Sequence, residues 1–288
     1  MNLRAFPMLV LVLFLSWLSV SARAGTINFG TADPFAVLGE AGVTNTGSSI
    51  IYGSVAGSTG TPAVTGFPPG AVASGTLFLT GVLNAGPGTP FGDATTAYNA
   101  AQALGAIPLS GVLGSGGSIP SLTPGVYSFS STAQLTGTLL LDAGGSDNAS
   151  WTFLVGSALT TASASSVEVV NAGSPGPYTG SITWAVTSAA TLGTTTTFLG
   201  TIISQAGSTL NTGATIGCGR VISLSASVAL DDNVIDANQA DCAVTGSTGG
   251  TLPPPSSPVP EPGTFALLPS GLLLALAFLT FRKSPVNR

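Results

Sequence analysis

Between Trp151 and Val234 the chain repeats itself, and that recurrence restricts the folds open to it. A quartet of small residues appears as Ser157-Ala158-Leu159-Thr160, Ser188-Ala189-Ala190-Thr191 and Ala206-Gly207-Ser208-Thr209, then more loosely as Ser225-Ala226-Ser227. Successive copies begin 31, 18 and 19 residues apart. Periods of this size mark solenoids, in which each unit is one coil stacked on the next. The longer first interval holds one coil plus a loop, or two short coils. Around the quartets lie the β-branched and aromatic runs "WTFLVG", "SITWAV", "TFLGTIIS" and "GRVISLS", bounded by Gly, Ser or Asn. Such runs predict short strands rather than helices.

Far upstream, Ala41-Gly42-Val43-Thr44 repeats the quartet, so the segment from 25 to 60, with three predicted short strands, belongs to the same solenoid. Residues 61–90 are rich in Pro and Gly and are expected to form an inserted cap, which would cover the unpaired strand edges of an open end. One helix is predicted over about 93–104. Asp93 would be its N-cap, Ala94, Ala97, Tyr98, Ala101 and Leu104 share one face, and Gly105 follows its end. A stripe of such small residues suits close packing on a sheet. Residues 106–120 read as loop, and "SLTPGVYSFS" restarts the strands at a Pro124-Gly125 turn.

Composition narrows the function. The 288 residues include 39 Gly and 20 Pro, with 44% hydrophobic and only 6% charged residues, which is too apolar for disorder and too rich in turn formers for a helical bundle. Away from the two ends Arg220 is the only basic residue, against about ten carboxylates. A nucleic-acid partner is therefore not expected. The absence of histidine removes the commonest general base and metal ligand. No nucleophile is paired with a base in the sequence, which leaves a polysaccharide-cleaving solenoid as a weak alternative. No enzymatic activity, cofactor or metal is expected. Asp231, Asp232, Asp236 and Asp241 lack the ligand spacing of a calcium loop and read as a solvated turn.

The ends carry export signals. Residues 1–24 combine Arg4, an apolar run from Met8 to Val20 and Ala22-Arg23-Ala24, a small-x-small cleavage pattern. The solenoid domain is then expected over 25–250. In an exported chain, Cys218 and Cys242, the two cysteines, point to a disulfide pinning the last coil more than to a metal or redox pair, with free thiols as the alternative. A Pro-rich linker spans 251–263 and an apolar stretch with a basic end spans 264–288. The motif Pro260-Glu261-Pro262 followed by that segment and Arg282-Lys283 resembles the PEP-CTERM sorting signal. The resemblance implies an inner-membrane precursor, a sorting protease of the envelope acting on the tail, and delivery to the cell surface, the exopolysaccharide matrix or the medium. A plain C-terminal membrane anchor would share the topology but keep its tail.

The segments "FGTADPFAVLGEAGVTNT", "TPGVYSF", "WTFLVGSALTTASASSVEV", "ITWAVTSAATLGTTTTFLGTIIS" and "TLNTGATIGCGRVIS" together resemble the microbial ice-binding proteins, over roughly residues 26–236 in order. That resemblance implies a mainly β fold, a right-handed discontinuous β-solenoid with one long α-helix packed alongside and an inserted cap region. It also implies a monomer that adsorbs to an ice crystal surface through one flat face and restrains ice growth or recrystallisation. Stronger members carry T-A/G-x-T/N on that face. The matching positions here are Ala41 and Thr44, Ser157 and Thr160, Ser188 and Thr191, Ala206 and Thr209, and Ser225. Ser or Ala replaces the first Thr in every copy, which implies moderate activity. The alternatives are a structural or adhesive envelope solenoid, in which adhesion would place exposed aromatics or calcium sites on the same face, and a glycan-binding solenoid.

Overall fold

The computed structural model describes residues 26–58, 63–80, 86–173 and 178–238. All of them lie in the unit Met1–Leu252. The predicted signal peptide, Pro-rich linker, PEP motif and sorting tail fall outside the described residues, as does Cys242. Among the described residues no helix is long and apolar enough to cross a membrane.

Three parallel sheets form the walls of a β-solenoid. One coil contributes one strand to each wall, as in Thr201–Ser204, Ser208–Leu210 and Thr215–Gly217. Stacked coils pair each strand with its equivalent one coil away, so the interior fills in columns. Along the first sheet the column Tyr127, Phe153, Trp184, Ile202, Val221, Val37 and Val55 runs through the core. Its aromatic end is tightly stacked: ring centroids lie 5.9 Å apart for Tyr127 and Phe153 and 3.8 Å apart, with nearly parallel planes, for Phe153 and Trp184. Trp184 Nε1 donates to the Leu199 carbonyl at 3.2 Å, which satisfies the indole inside the core.

Chain order and stacking order differ. Phe35–Gly39, Val43–Asn45 and Ile50–Tyr52 form a coil that pairs with the coil of Val221–Ser223, Val228–Leu230 and Val234–Asp236. We call the latter the seam coil, because it joins the two halves of the chain. The predicted cap differs in part from expectation. Val64–Thr65, Ala71–Ser74 and Leu77–Phe78 are strands that continue the three sheets, so residues 63–80 build coil as well as turn. The segment from 25 to 60 holds a fourth strand, Ser54–Gly57, beyond the three expected. Ile107–Leu109 also joins the first sheet where loop was expected.

The helix runs Pro90–Gln102, with Thr89 as N-cap accepting from the Gly92 N–H at 3.2 Å. Asp93 is therefore not the cap. It stands in the first turn, where its carboxylate accepts from the Thr31 N–H at 2.8 Å, the Thr31 hydroxyl at 2.7 Å and the Gly88 N–H at 3.0 Å. Proline at the first helical position supplied the signal for the earlier start. Phe91, Ala94, Ala97, Tyr98 and Ala101 pack on Leu38, Leu154, Ala185, Ile203 and Ile222, the outward column of the first sheet. With both faces covered, five-residue strands such as Trp151–Val155 and Ile182–Val186 are buried throughout, hence their unbroken apolar runs.

Two polar devices close the seam. At the corner between the second and third sheets, Asn233 is fully buried. Its Nδ2 donates to the carbonyls of Asn211 (3.0 Å) and Ala214 (2.9 Å), and its Oδ1 accepts from the Asp231 N–H (2.7 Å). The Asn233 N–H reaches Ser49 Oγ at 2.9 Å, and Ser49 in turn donates to Asn45 Oδ1 at 2.6 Å. At another corner Arg220, the one basic residue among those described, is 4% exposed. Its Nη1 meets Asp33 Oδ1 at 2.7 Å, and its guanidinium lies 4.9 Å from the Phe29 ring centroid.

Removing the Asn233 side chain leaves several buried groups unpaired at once. Asn233→Ala is expected to destabilise the fold by about 2–4 kcal/mol, while Asn99→Ala on the exposed helix face stays within about 0.5 kcal/mol; equal denaturation midpoints for the two variants would contradict the role given to the seam network. A second expectation concerns acid. Hydrogen bonds from the Thr31 backbone and side chain, then the Gly88 backbone, hold the Asp93 carboxyl below its ordinary value of 3.8. Its contribution is thus present above that unfolded value and is lost as pH falls through the lower folded value. Melting temperature should decline below about pH 4, and Asp93→Asn should be less stable at neutral pH and show a shallower acid decline.

Candidate functional site

The second sheet has strands of only two or three residues, and its burial alternates. In Val43–Asn45, Leu159–Thr161, Ala190–Leu192, Ser208–Leu210 and Val228–Leu230 the outer two residues point into the core and the middle one points out. Parallel register then places the outward residues in one column. Its order is Gln134, Thr160, Thr191, Thr209, Ala229, Thr44 and Thr65. Gln134, Thr209, Thr44 and Thr65 are exposed, and Thr160, Thr191 and Ala229 partly so. At a strand spacing of about 4.8 Å, seven rungs extend over roughly 29 Å.

Beside this column runs a second, at the first residue of each quartet. Backbone bonds link Ser157 N–H to the Ser131 carbonyl (3.2 Å), Ser188 to Ser157 (3.0 Å), Ala206 to Ser188 (3.1 Å) and Ala41 to Ala226 (3.2 Å). Ser131, Ser157 and Ser188 thus occupy one end of it and Ala206, Ala226 and Ala41 the other. No charged residue occupies either column. On the third sheet, by contrast, the outward positions of Ser166–Val170 and Thr138–Asp142 include Glu168 and Asp142.

The structure brings Thr44, Thr160, Thr191 and Thr209 onto one column and Ala41, Ser157, Ser188 and Ala206 onto the other. Ser225 is the exception. The seam coil uses four residues between Ser223 and Val228 where the coils on either side use three, Gln205–Gly207 and Glu40–Gly42. Ser225 occupies the extra place and donates its hydroxyl to the Gln205 carbonyl. Ala226, one residue later, holds the quartet position. This insertion is why the fourth repeat looked blurred. Sequence reading also missed Gln134, Ala229 and Thr65. Ser131-Thr132-Ala133-Gln134 carries a legible quartet signal; Thr65 was hidden in its Pro/Gly-rich surroundings.

The acidic residues near the seam are engaged with the protein. Asp231 Oδ1 accepts from the Thr46 hydroxyl at 3.0 Å and Oδ2 from the Thr212 hydroxyl, and Asp232 accepts from the Ser48 N–H. Among the described residues no group of three or more His, Cys, Asp or Glu stands close enough to hold a metal ion. Cys218 is 8% exposed beyond Thr215–Gly217, in a left-handed conformation with φ of 53°. No cysteine among the described residues is a free thiol.

Fold and surface together define a mainly β protein of three parallel sheets and one flanking helix, which presents uncharged columns of hydroxyl and methyl groups on one wall. The chain belongs to the ice-binding-like family, whose profile matches residues 37–236. It is 40% identical over 282 residues to an ice-binding protein of Nostoc sp. (strain HG1), covering 97% of this chain and 96% of that one. An ice-binding protein of Flavobacterium frigoris (strain PS1) is 34% identical over 220 residues, 73% of this chain and 75% of the relative. Among solved structures, the ice-binding protein of the Antarctic ascomycete Antarctomyces psychrotrophicus is similar with a TM-score of 0.63 at 30% identity, covering 74% of this chain and 99% of that one.

Proposed function

We propose that this chain is a non-enzymatic, monomeric protein that adsorbs to ice through its second sheet and restrains ice growth or recrystallisation with moderate activity. The single observation that carries the reading is the column of Thr160, Thr191, Thr209, Thr44 and Thr65, in register on one rigid wall. Each threonine offers a methyl group and a hydroxyl, which order water without imposing the hydration shell of a charge. A single contact of this kind is weak, but a stiff array makes all of them at once, so adsorption strengthens with the number of rungs. The family membership and the ice-binding relatives support the same conclusion.

We further infer export through residues 1–24 and sorting through Pro260-Glu261-Pro262, with an envelope protease acting on the tail and the cell surface, exopolysaccharide matrix or medium as the destination. In that oxidising setting Cys218 pairs with Cys242 and ties the chain beyond the seam coil to the turn at Cys218.

Replacing Thr191 or Thr209 with Tyr raises a bulge in the middle of the column. Recrystallisation inhibition is expected to fall about tenfold or more, with melting temperature little changed because the site faces solvent. Thr197→Tyr, on the exposed third sheet, is the control and should keep activity. A wild-type protein without effect on ice, or full activity in both column variants, would overturn this assignment. For the cysteines, intact mass of the exported protein without reductant should lie two hydrogen atoms below the dithiol mass. Complete alkylation of both thiols in the native state would exclude the bond.

A further inference from the structure

Three features of the ice face coincide on one rung. The seam coil presents Ala226 and Ala229 in the two columns, so it is without a hydroxyl at either quartet position. Its corner carries the inserted Ser225, whose hydroxyl is turned onto the Gln205 carbonyl. Two residues past Ala229, in the bend that follows Val228–Leu230, Asp231 braces the seam by accepting from Thr46 and Thr212. Ala229 is flanked in register by Thr209 and Thr44, so threonine is already accommodated at the same place in both adjoining coils.

We infer that the seam coil is the activity-limiting gap of the ice face, with Ala229 dividing it into a block of Thr160, Thr191 and Thr209 and a block of Thr44 and Thr65. The inference rests on the ice-binding reading of the second sheet and deepens it by naming what sets the strength of the interaction. At Ala229 the column lacks a hydroxyl between the two blocks. Avidity grows with the number of contacts made together, and the rigidity of the coil stack holds both blocks in a single plane at no further ordering cost. Closing the gap therefore adds the missing hydroxyl to an array already held in one plane, where each further simultaneous contact multiplies the affinity, and makes the column continuous across the junction of the two chain halves. The gap is a consequence of how the seam is built. This coil must receive the returning N-terminal segment on one side, and its corner residues are committed to that junction through Asp231, Asp232 and Asn233.

The test is Ala229→Thr in the exported domain, compared with Ala229→Val and Thr191→Tyr. Ala229→Thr is expected to raise recrystallisation inhibition and thermal hysteresis at equal protein concentration by roughly two- to tenfold, with unchanged circular dichroism and a melting temperature no lower than wild type. Ala229→Val supplies the shape without the hydroxyl and should give less than half of that gain. Loss of activity in Thr191→Tyr with no gain in Ala229→Thr would overturn the gap while leaving the face assigned. Full activity in Thr191→Tyr would instead remove the face itself. An equal gain in the Val and Thr variants would overturn the need for the hydroxyl. Should Ala229→Thr lower the melting temperature, Ala226→Ser offers a hydroxyl on the same rung at the other column, and absence of gain there as well would reject the proposal.

Discussion

Every other feature of this molecule depends on the parallel pairing of Val43–Asn45 with Val228–Leu230. Its register partners are nearly two hundred residues apart in the chain, as is the Thr46–Asp231 contact beside it, with a separation of 185. Closing so long a loop is entropically costly, though the cost grows only slowly with length. What offsets it is spread over three sheets, because the N-terminal coil adds a strand to each wall, and over two polar contacts at the corners, the buried Asn233–Ser49 bond and the half-buried Arg220–Asp33 pair. Those contacts also give specificity. A parallel β edge accepts any extended segment, whereas the bonds from Asn233 to Ser49 and from Arg220 to Asp33 are met only when this segment docks in this register.

The helix follows from the same closure. Once the N-terminal coils sit beyond the seam coil, the chain has to travel back along the stack to reach Ile107–Leu109 at the far edge of the first sheet, next to Gly125–Phe129. A helix of 13 residues covers about 20 Å in that direction. Its alanines at 94, 97 and 101 let it lie close over the outward column of the first sheet, which removes that face from water. The three walls therefore end up chemically distinct. The first is buried on both sides, the third carries carboxylates, and the second is left short-stranded, uncharged and open. Among the described residues, the wall left open and uncharged is the one whose outward columns carry Thr, Ser, Ala and Gln134.

A good deal of this was legible beforehand. The quartets showed the coil period, and Ala41-Gly42-Val43-Thr44 showed that the N-terminal segment belonged with the C-terminal coils. Recurrence of the quartet also identified Thr160, Thr191 and Thr209 as equivalent. The helix stripe was visible at Ala94, Ala97, Tyr98 and Ala101, but its start was misplaced because Asp93 resembles a cap. That carboxylate is instead occupied by Thr31, a partner 62 residues away. Ser225 was misassigned for a related reason: a one-residue insertion is invisible until neighbouring strands on both sides of the corner define the register.

The sequence by itself determined the repeating unit, the threonine that recurs at the end of the quartets, and the near absence of charge, because these are local properties carried by neighbouring residues. Only the tertiary structure decided which coils lie side by side. Stacking order is a matter of long-range pairing, and no local pattern states that Ala229 lies between Thr209 and Thr44. The single column of hydroxyl and methyl groups, and the gap in it, exist only because two distant pieces of chain are held in one register.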